Sequence, residues 1–542
     1  MRMCFRLIVW FSACVAVLSG CRSHQAGADK SIFHLNLSSP VTSLDPAFAS
    51  DQPNTWSVNL LYNGLVQLDA DLQVKPCIAK DWSLSSDRLT YTFYLRSDVY
   101  FHDDPCFPDN TGRKVVASDV AYAFNRLIDP DVAARGNWVF NNIVDTVLPF
   151  EVINDSVLQV HLLKPFAPFL QRLSIPYCSV VPHEAIEKYG LDFRSHPVGT
   201  GPFTCVQWDE GELIILHRFE RYFERDAFGY QLPYLDAVNI HFITNKSTEF
   251  LKFLSGELDF VSDVDAALKD DILTKDGQLQ PKYADDIQLI KGPYLNVEYF
   301  SILMDTTNVL VQASPLSFQQ VRQAINYAFD RNEMLLFLKN NRGEPATAGI
   351  VPPALLNNPT VSYGYTYNPD TALALLKAAG FENGVGLPEI IVHTTEQYQD
   401  IAVYLKDKLE DIGIALTIET VDPRLMREMR LNGTTMFFRS SWIADYADAE
   451  NYLTVFYGGS DAPPNYTRYH NSDYDALYAS AVAEPNYATR LTYYREMDSI
   501  LIRDAPVVPL FYDEVFRFVR HNITGLEPNG LNMLDLRYVR KK

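Results

Sequence analysis

The stretch Ser441–Glu450 reads SWIADYADAE and sets three carboxylates, Asp445, Asp448 and Glu450, directly after the apolar run TTMFF and the tryptophan Trp442. Acids beside a strand-like segment are costly unless they end in solvent or meet a cation. Arg439 lies three residues before Trp442, and a pairing with Asp448 or Glu450 would settle charge inside the chain. A cation from outside the chain would settle it otherwise.

The elements that must hold these residues follow from periodicity. LTYTFYLR (89–96) alternates, with Tyr91, Phe93 and Leu95 on one face, which predicts a half-buried strand. ASDVAYAFNRLIDP predicts a helix capped by Ser118, stopped before Pro130, and faced by Val120, Phe124 and Leu127. In SPLSFQQVRQAINYAFDR, the residues Phe318, Val321, Ala324, Ile325, Ala328 and Phe329 form an apolar helical face, with Arg322 and Gln323 turned outward. Next comes a helix capped by Asn368 with Pro369 at its first position and Gly380 as its stop. PEIIVH, EQYQDIAVYLKDKLEDIG, IALTIETV, DPRLMREMRLNG and TTMFFRS then read as strand, helix, strand, helix, strand. Such a run is a parallel α/β unit, whose ligands gather at the carboxyl ends of the strands. SWIADYADAE leaves the last strand at that end.

Motifs for catalysis are missing: the chain has no G-x-S-x-G elbow, Walker loop, H-E-x-x-H or C-x-x-C pair. FHDDP (101–105) offers His102, Asp103 and Asp104 to a metal, but a strand running into a polar turn explains it equally. HPVGTGPF (196–203) has two glycines without opening a helix, and reads as a hinge or a tight packing turn. No cofactor and no metal are called for.

The N-terminus has a basic n-region, Arg2 and Arg6, and an apolar stretch from Leu7 to Leu18, which together read as a secretory signal over residues 1–20. Leu18-Ser19-Gly20-Cys21 resembles the bacterial lipobox, so that Cys21 is expected to carry a lipid and residues 21–31 to form a flexible tether. Beyond it no apolar run approaches the ~20 residues that would span a bilayer. Cleavage leaves 44 basic and 67 acidic residues, a balance of −23, which repels nucleic acid. At 542 residues the chain exceeds a single core. Four cysteines remain after Cys21: Cys77, Cys106, Cys178 and Cys205. In an oxidising compartment they allow three pairings or free thiols, and Cys77 with Cys106 and Cys178 with Cys205 is the favoured set, each closing a loop of about thirty residues.

From about Leu44 to Val539 the chain resembles the extracytoplasmic solute-binding proteins of ABC importers, in the cluster of oligopeptide- and dipeptide-binding proteins. The resemblance rests on ordered segments: SLDPA, LLYNGLVQLDADLQVKPCIAKDW, VVASDVAYAF, PVGTGPF, VRQAINYAFDR, NPDTALALLKAAGF, LEDIGIAL, WIADYADAENYL and LIRDAPVVPLFY. It implies an α/β flytrap of the type II periplasmic-binding kind, two lobes with an additional third domain and discontinuous segments. Domain I would comprise residues 32–61, 198–292 and 509–542, domain II residues 62–197, and domain III residues 293–508. Two chain crossings between domains I and III would form the hinge. Arg439, Trp442 and Asp445 match the family pattern R-x-x-W-x-A-D, which implies that Asp445 holds a peptide α-ammonium and makes Arg439 a candidate for a peptide carbonyl or carboxylate. The turn near Ser50 and Asp51 resembles the segment that offers backbone groups to the ligand. Many relatives carry D-P-x-N-F after the aspartate where this chain has DAENYL. The implied protein is a monomer, lipid-anchored to a membrane, that passes short peptides to permease subunits and catalyses nothing. A receptor for a nickel chelate, haem or an oligosaccharide is the alternative within the fold, and an extracytoplasmic hydrolase the alternative outside it.

Overall fold

A computed structural model describes residues 31–263, 268–356 and 363–542. The signal sequence, Cys21 and residues 21–30 of the tether lie outside the described residues. Among the described residues no helix is long and apolar enough to cross a membrane.

The alternating segment forms the strand Thr90–Leu95, with Tyr91, Phe93 and Leu95 buried. It pairs with Ala79–Leu84 on one side and Val157–His161 on the other, and Phe150–Asn154 completes a four-stranded antiparallel sheet. The helix Ala117–Ile128 buries Val120, Phe124 and Leu127. Its start differs from expectation by two residues: the Asp119 carboxylate turns back to accept from the Val116 N–H at 2.9 Å, so Ser118 lies inside the helix. Aspartate three positions in closes the exposed donors from within.

A larger mixed sheet carries the rest. Its order is Leu416–Thr420, Ile390–Thr394, Phe437–Ile443, Ile287–Ile302, Val507–Arg520, Phe260–Ser262, Ile32–Asn36, Ala237–His241, Leu213–Arg218 and Phe203–Asp209, with Glu344–Pro345 added to Val507–Arg520. The first three strands run parallel, as the alternation with helices required. Their helices, Gln399–Glu410 and Pro423–Asn432, end before glycines in the left-handed region, Gly413 at φ 81° and Gly433 at φ 65°. Ile287–Ile302 and Val507–Arg520 are the longest strands and pair antiparallel, with register breaks between Pro293 and Val297 and between Glu298 and Tyr299. Buried side chains on either side of them form separate cores, one drawn mainly from residues 33–240 and others from residues 295–512.

Two expectations fail locally. Arg322 does not face solvent. It is 5% exposed, and its guanidinium donates to the carbonyls of Leu316, Ser317, Asp504 and Ala505. It thereby serves the carbonyls that the helix Tyr487–Asp504 leaves unpaired at its end, a placement that helical spacing cannot reveal. Phe318, expected in the core, caps the following helix instead and is 46% exposed. Nor do the favoured disulfides form: Cys77, Cys106, Cys178 and Cys205 are free thiols. Cys77 and Cys178 are buried in the apolar core, and Sγ of Cys178 and Cys205 turn to the carbonyls of Arg172 and Gln207.

FHDDP is structural. His102 is buried, faces the Gly201 carbonyl at 3.0 Å through Nε2, and accepts from the Gly199 N–H at 3.3 Å through Nδ1; burial pushes its pKa down to about 4. It thus pins the PVGTGPF turn, whose Gly199 and Gly201 press on the Leu61–Tyr62 backbone so closely that a Cβ would collide at 2.0 and 2.4 Å. Elsewhere Asp119, His183 and Glu184 lie near enough to suit an ion, but Arg113 already pairs with both carboxylates, at 2.7 and 2.6 Å.

Candidate functional site

The strand Phe437–Ile443 runs five residues beyond the apolar run and three beyond the expected strand, because Trp442 and Ile443 still pair with Val297 and Asn296 of the neighbouring strand. The Ala444 N–H donates to the Leu295 carbonyl at 2.8 Å, the chain turns through Asp445, and the short helix Glu450–Leu453 begins. Asn451 fixes this turn. Its side chain is buried, and its Oδ1 accepts from Trp442 Nε1 at 2.9 Å and from the Asp445 N–H at 3.0 Å, while Nδ2 faces Asp445 Oδ2 at 3.4 Å. One amide therefore sets both the indole and the carboxylate. Trp442 itself is half-buried against the second core.

Asp445 keeps surface open to solvent while protein surrounds it on almost every side, as at the wall of a cleft. Burial pushes its pKa above the usual carboxylate range; Asn451 and the Arg172 charge pull it back, and Glu450 adds to the rise. Among the described residues no cation pairs with it. The other two acids of the segment are satisfied internally. Asp448 pairs with Arg490 at 3.1 Å, both buried, and Glu450 accepts from the hydroxyls of Tyr446 and Tyr478.

Arg439 departs from both sequence readings. It pairs with Glu298, a diagonal neighbour on the long strand, and its guanidinium lies 3.3 Å from the centroid of the Tyr398 ring. Asn296 donates to Glu298 at 3.1 Å and approaches Asp513 at 3.4 Å. The charge of Arg439 is thus neutralised by a residue distant in sequence, and neither Asp448 nor Glu450 takes part.

Ser50 and Asp51 sit at the start of the helix Gln52–Leu61. Both Asp51 oxygens are engaged by Asn54, from its N–H at 3.1 Å and its amide at 2.9 Å, so this carboxylate caps the helix. Ser50 Oγ accepts from Arg135 at 2.6 Å. Gly136 lies so tightly on the Tyr177 ring that a Cβ would meet it at 2.7 Å, and Trp138 crosses Tyr177 edge-on at 6.4 Å and stacks on Tyr446 at 6.5 Å. Tyr177 links the two sides: burial pushes its hydroxyl up to about 12, Asp445 and Asp51 add to that, and Arg135 opposes it. The fold therefore brings Asp445 and Trp442 together with the Ser50–Asp51 turn around Arg135, Trp138 and Tyr177. Those three were not singled out from sequence, where they carry no motif. Asn451 was within reach, since it stands in the DAENYL segment compared with D-P-x-N-F.

An α/β chain of several cores, joined by two long strands and holding beside a tryptophan a carboxylate with no cationic partner among the described residues, has the architecture of a solute receptor. The family model for bacterial extracellular solute-binding proteins, family 5 Middle, matches residues 73–464, and the chain belongs to that family. Among curated relatives, the glutathione-binding protein GsiB of Salmonella typhi is 28% identical over 499 residues, covering 89% of each chain. Among solved structures, the ABC transporter-associated periplasmic binding protein DppA from Helicobacter pylori, in complex with the peptide STSA, superposes with a TM-score of 0.75 at 24% identity, covering 94% of this chain and 98% of that one. HbpA2 from Haemophilus parasuis gives a TM-score of 0.80 at 22% identity, covering 94% and 100%. The fold is that of the type II periplasmic binding proteins.

Proposed function

We propose that this protein captures short peptides in the cleft between its cores and delivers them to the permease of an ABC importer. The observation that carries the reading is Asp445: a carboxylate on the cleft wall, aimed by Asn451, with no cationic partner among the described residues. An ammonium drawn into a closing cleft loses water and needs such a group; the charge-assisted bond contributes about 1.5 to 3 kcal/mol. Trp442 walls the same end. Arg135 and Ser50 offer donors on the facing side, where a peptide carbonyl or carboxylate would lie. Arg439, already paired, supports the Asp445 strand instead. That relatives are named for glutathione and seen with a peptide agrees with this ligand class.

The division into domain I (32–61, 198–292, 509–542), domain II (62–197) and domain III (293–508) goes with the reading. Its hinge is the paired strands Ile287–Ile302 and Val507–Arg520, whose register breaks near Pro293 relax the sheet between the lobes. The protein is a monomer anchored through a lipid on Cys21. Cys21→Ala should release it from the membrane fraction. Native mass spectrometry of the purified protein tests the ligand: free peptides of two to five residues support the proposal, whereas a metal chelate, haem or an oligosaccharide would replace it.

A further inference from the structure

Arg172, at the end of the short helix Phe169–Arg172, is a buried cation that no carboxylate touches among the described residues. Its Nη2 donates to the Tyr446 hydroxyl at 3.0 Å and its Nη1 to the Val139 carbonyl at 3.5 Å, while Nε finds no partner among the described residues. The guanidinium carbon lies 4.7 Å from the centroid of Phe166, 5.2 Å from Tyr446 and 5.4 Å from Trp138. Burying a charge among rings is costly unless other charges face it. Those charges come from the far side of the cleft. The same Tyr446 hydroxyl donates to Glu450, which also accepts from Tyr478, and Asp445 is the neighbour of Tyr446 in the chain. Other contacts cross at this edge: Arg88 donates to the Ala483 carbonyl and the Ala167 N–H to the Val482 carbonyl, both at 2.7 Å.

We propose that Arg172 is a positioning residue for ligand capture: from the 62–197 side it grips Tyr446, so that the turn bearing Asp445 is held in place when the two sides of the cleft are together. The groups that face Asp445 agree. Arg172 favours its ionised form, Glu450 opposes it, Asn451 donates to it, and Tyr177 and Tyr452 border it as neutral phenols. The inference rests on Asp445 being the ligand's ammonium site.

The test requires no ligand. The pH-dependent difference in melting temperature between wild type and Asp445→Asn reports the ionisation of Asp445, and the same difference is taken in an Arg172→Met background. Loss of the cation is expected to move its midpoint upward by about half a pH unit or more. Small-angle scattering should show Arg172→Met more expanded than wild type. Tyr446→Phe, which removes only the hydroxyl contact and keeps the cation, should expand likewise with the midpoint in place. An unmoved midpoint in Arg172→Met, or wild-type scattering from Tyr446→Phe, overturns the assignment. Should Arg172→Met not fold, Arg172→Lys is expected to behave as Tyr446→Phe does, and wild-type scattering from it would count against the proposal equally. If peptide affinity survives Asp445→Asn while the midpoint still moves, the peptide reading fails and the Arg172 coupling stands.

Discussion

Replacing Asp445 by asparagine removes a charge while keeping the shape of the side chain and its place beside Asn451. Within a shut cleft the change deletes a charge-assisted hydrogen bond of about 1.5 to 3 kcal/mol, and it leaves an ammonium without a counter-charge, at about 3 to 5 kcal/mol. Even about 2.7 kcal/mol is a hundredfold in affinity. Calorimetric titration with the peptide recovered from the protein, or with glutathione and the tetrapeptide STSA where none is recovered, should therefore show a loss of at least about a hundredfold. An N-acetylated form of the same peptide should bind wild type as poorly. Stability should move the other way. Burial raises the folded pKa of Asp445 above its unfolded value, so its ionisation opposes folding at neutral pH, and the ligand-free asparagine variant should melt no lower than wild type. A variant that melts lower and binds unchanged would refute the reasoning on both counts.

Asn451→Ala should weaken peptide binding about tenfold or more and shift Trp442 fluorescence, because one amide holds both groups; unchanged emission would show that the indole is held otherwise. Asp498 is buried, accepts from the Ile350 and Val351 N–H groups and the Tyr363 hydroxyl, and has its pKa pushed up to about 7 by burial. Its folded form holds a proton that the unfolded form has lost. Urea unfolding should therefore show stability falling as pH rises from the ordinary carboxylate range to about 7 and levelling above it, with a shallower slope in Asp498→Asn. Burial also raises the thiols of Cys77 and Cys178, so alkylation should reach these two only after unfolding, and without prior reduction; recovery of a disulfide-linked peptide pair would contradict the structure.

Much of the fold was legible because local rules sufficed. The strand at Tyr91, the parallel unit from Ile390 to Ile443, the cap at Asn368 and the glycine stops each follow from spacing and backbone chemistry within about a dozen residues. Asp445 and Trp442 stand in one short segment, the indole near the strand's end and the carboxylate two residues past it, and the family pattern R-x-x-W-x-A-D marked both. Arg322 and Arg439 were misread because a guanidinium's partner is chosen by contact. Arg322 reaches carbonyls near Asp504, and Arg439 meets Glu298 on the neighbouring strand, two residues along from its register partner Phe300.

By itself the sequence determined the type and order of the segments it read as strands and helices and which acid follows the tryptophan, while the exact start of the helix at Ala117 and the end of the strand at Ile443 were set by contacts. Only the tertiary structure decided that Asn451 aims that acid, that Arg135, Trp138 and Tyr177 face it, and that Arg172 steadies its turn from across the cleft. The physical reason is range: caps, turns and apolar periodicity act over a few residues, whereas pairing of buried charges depends on distances in space that no spacing along the chain encodes.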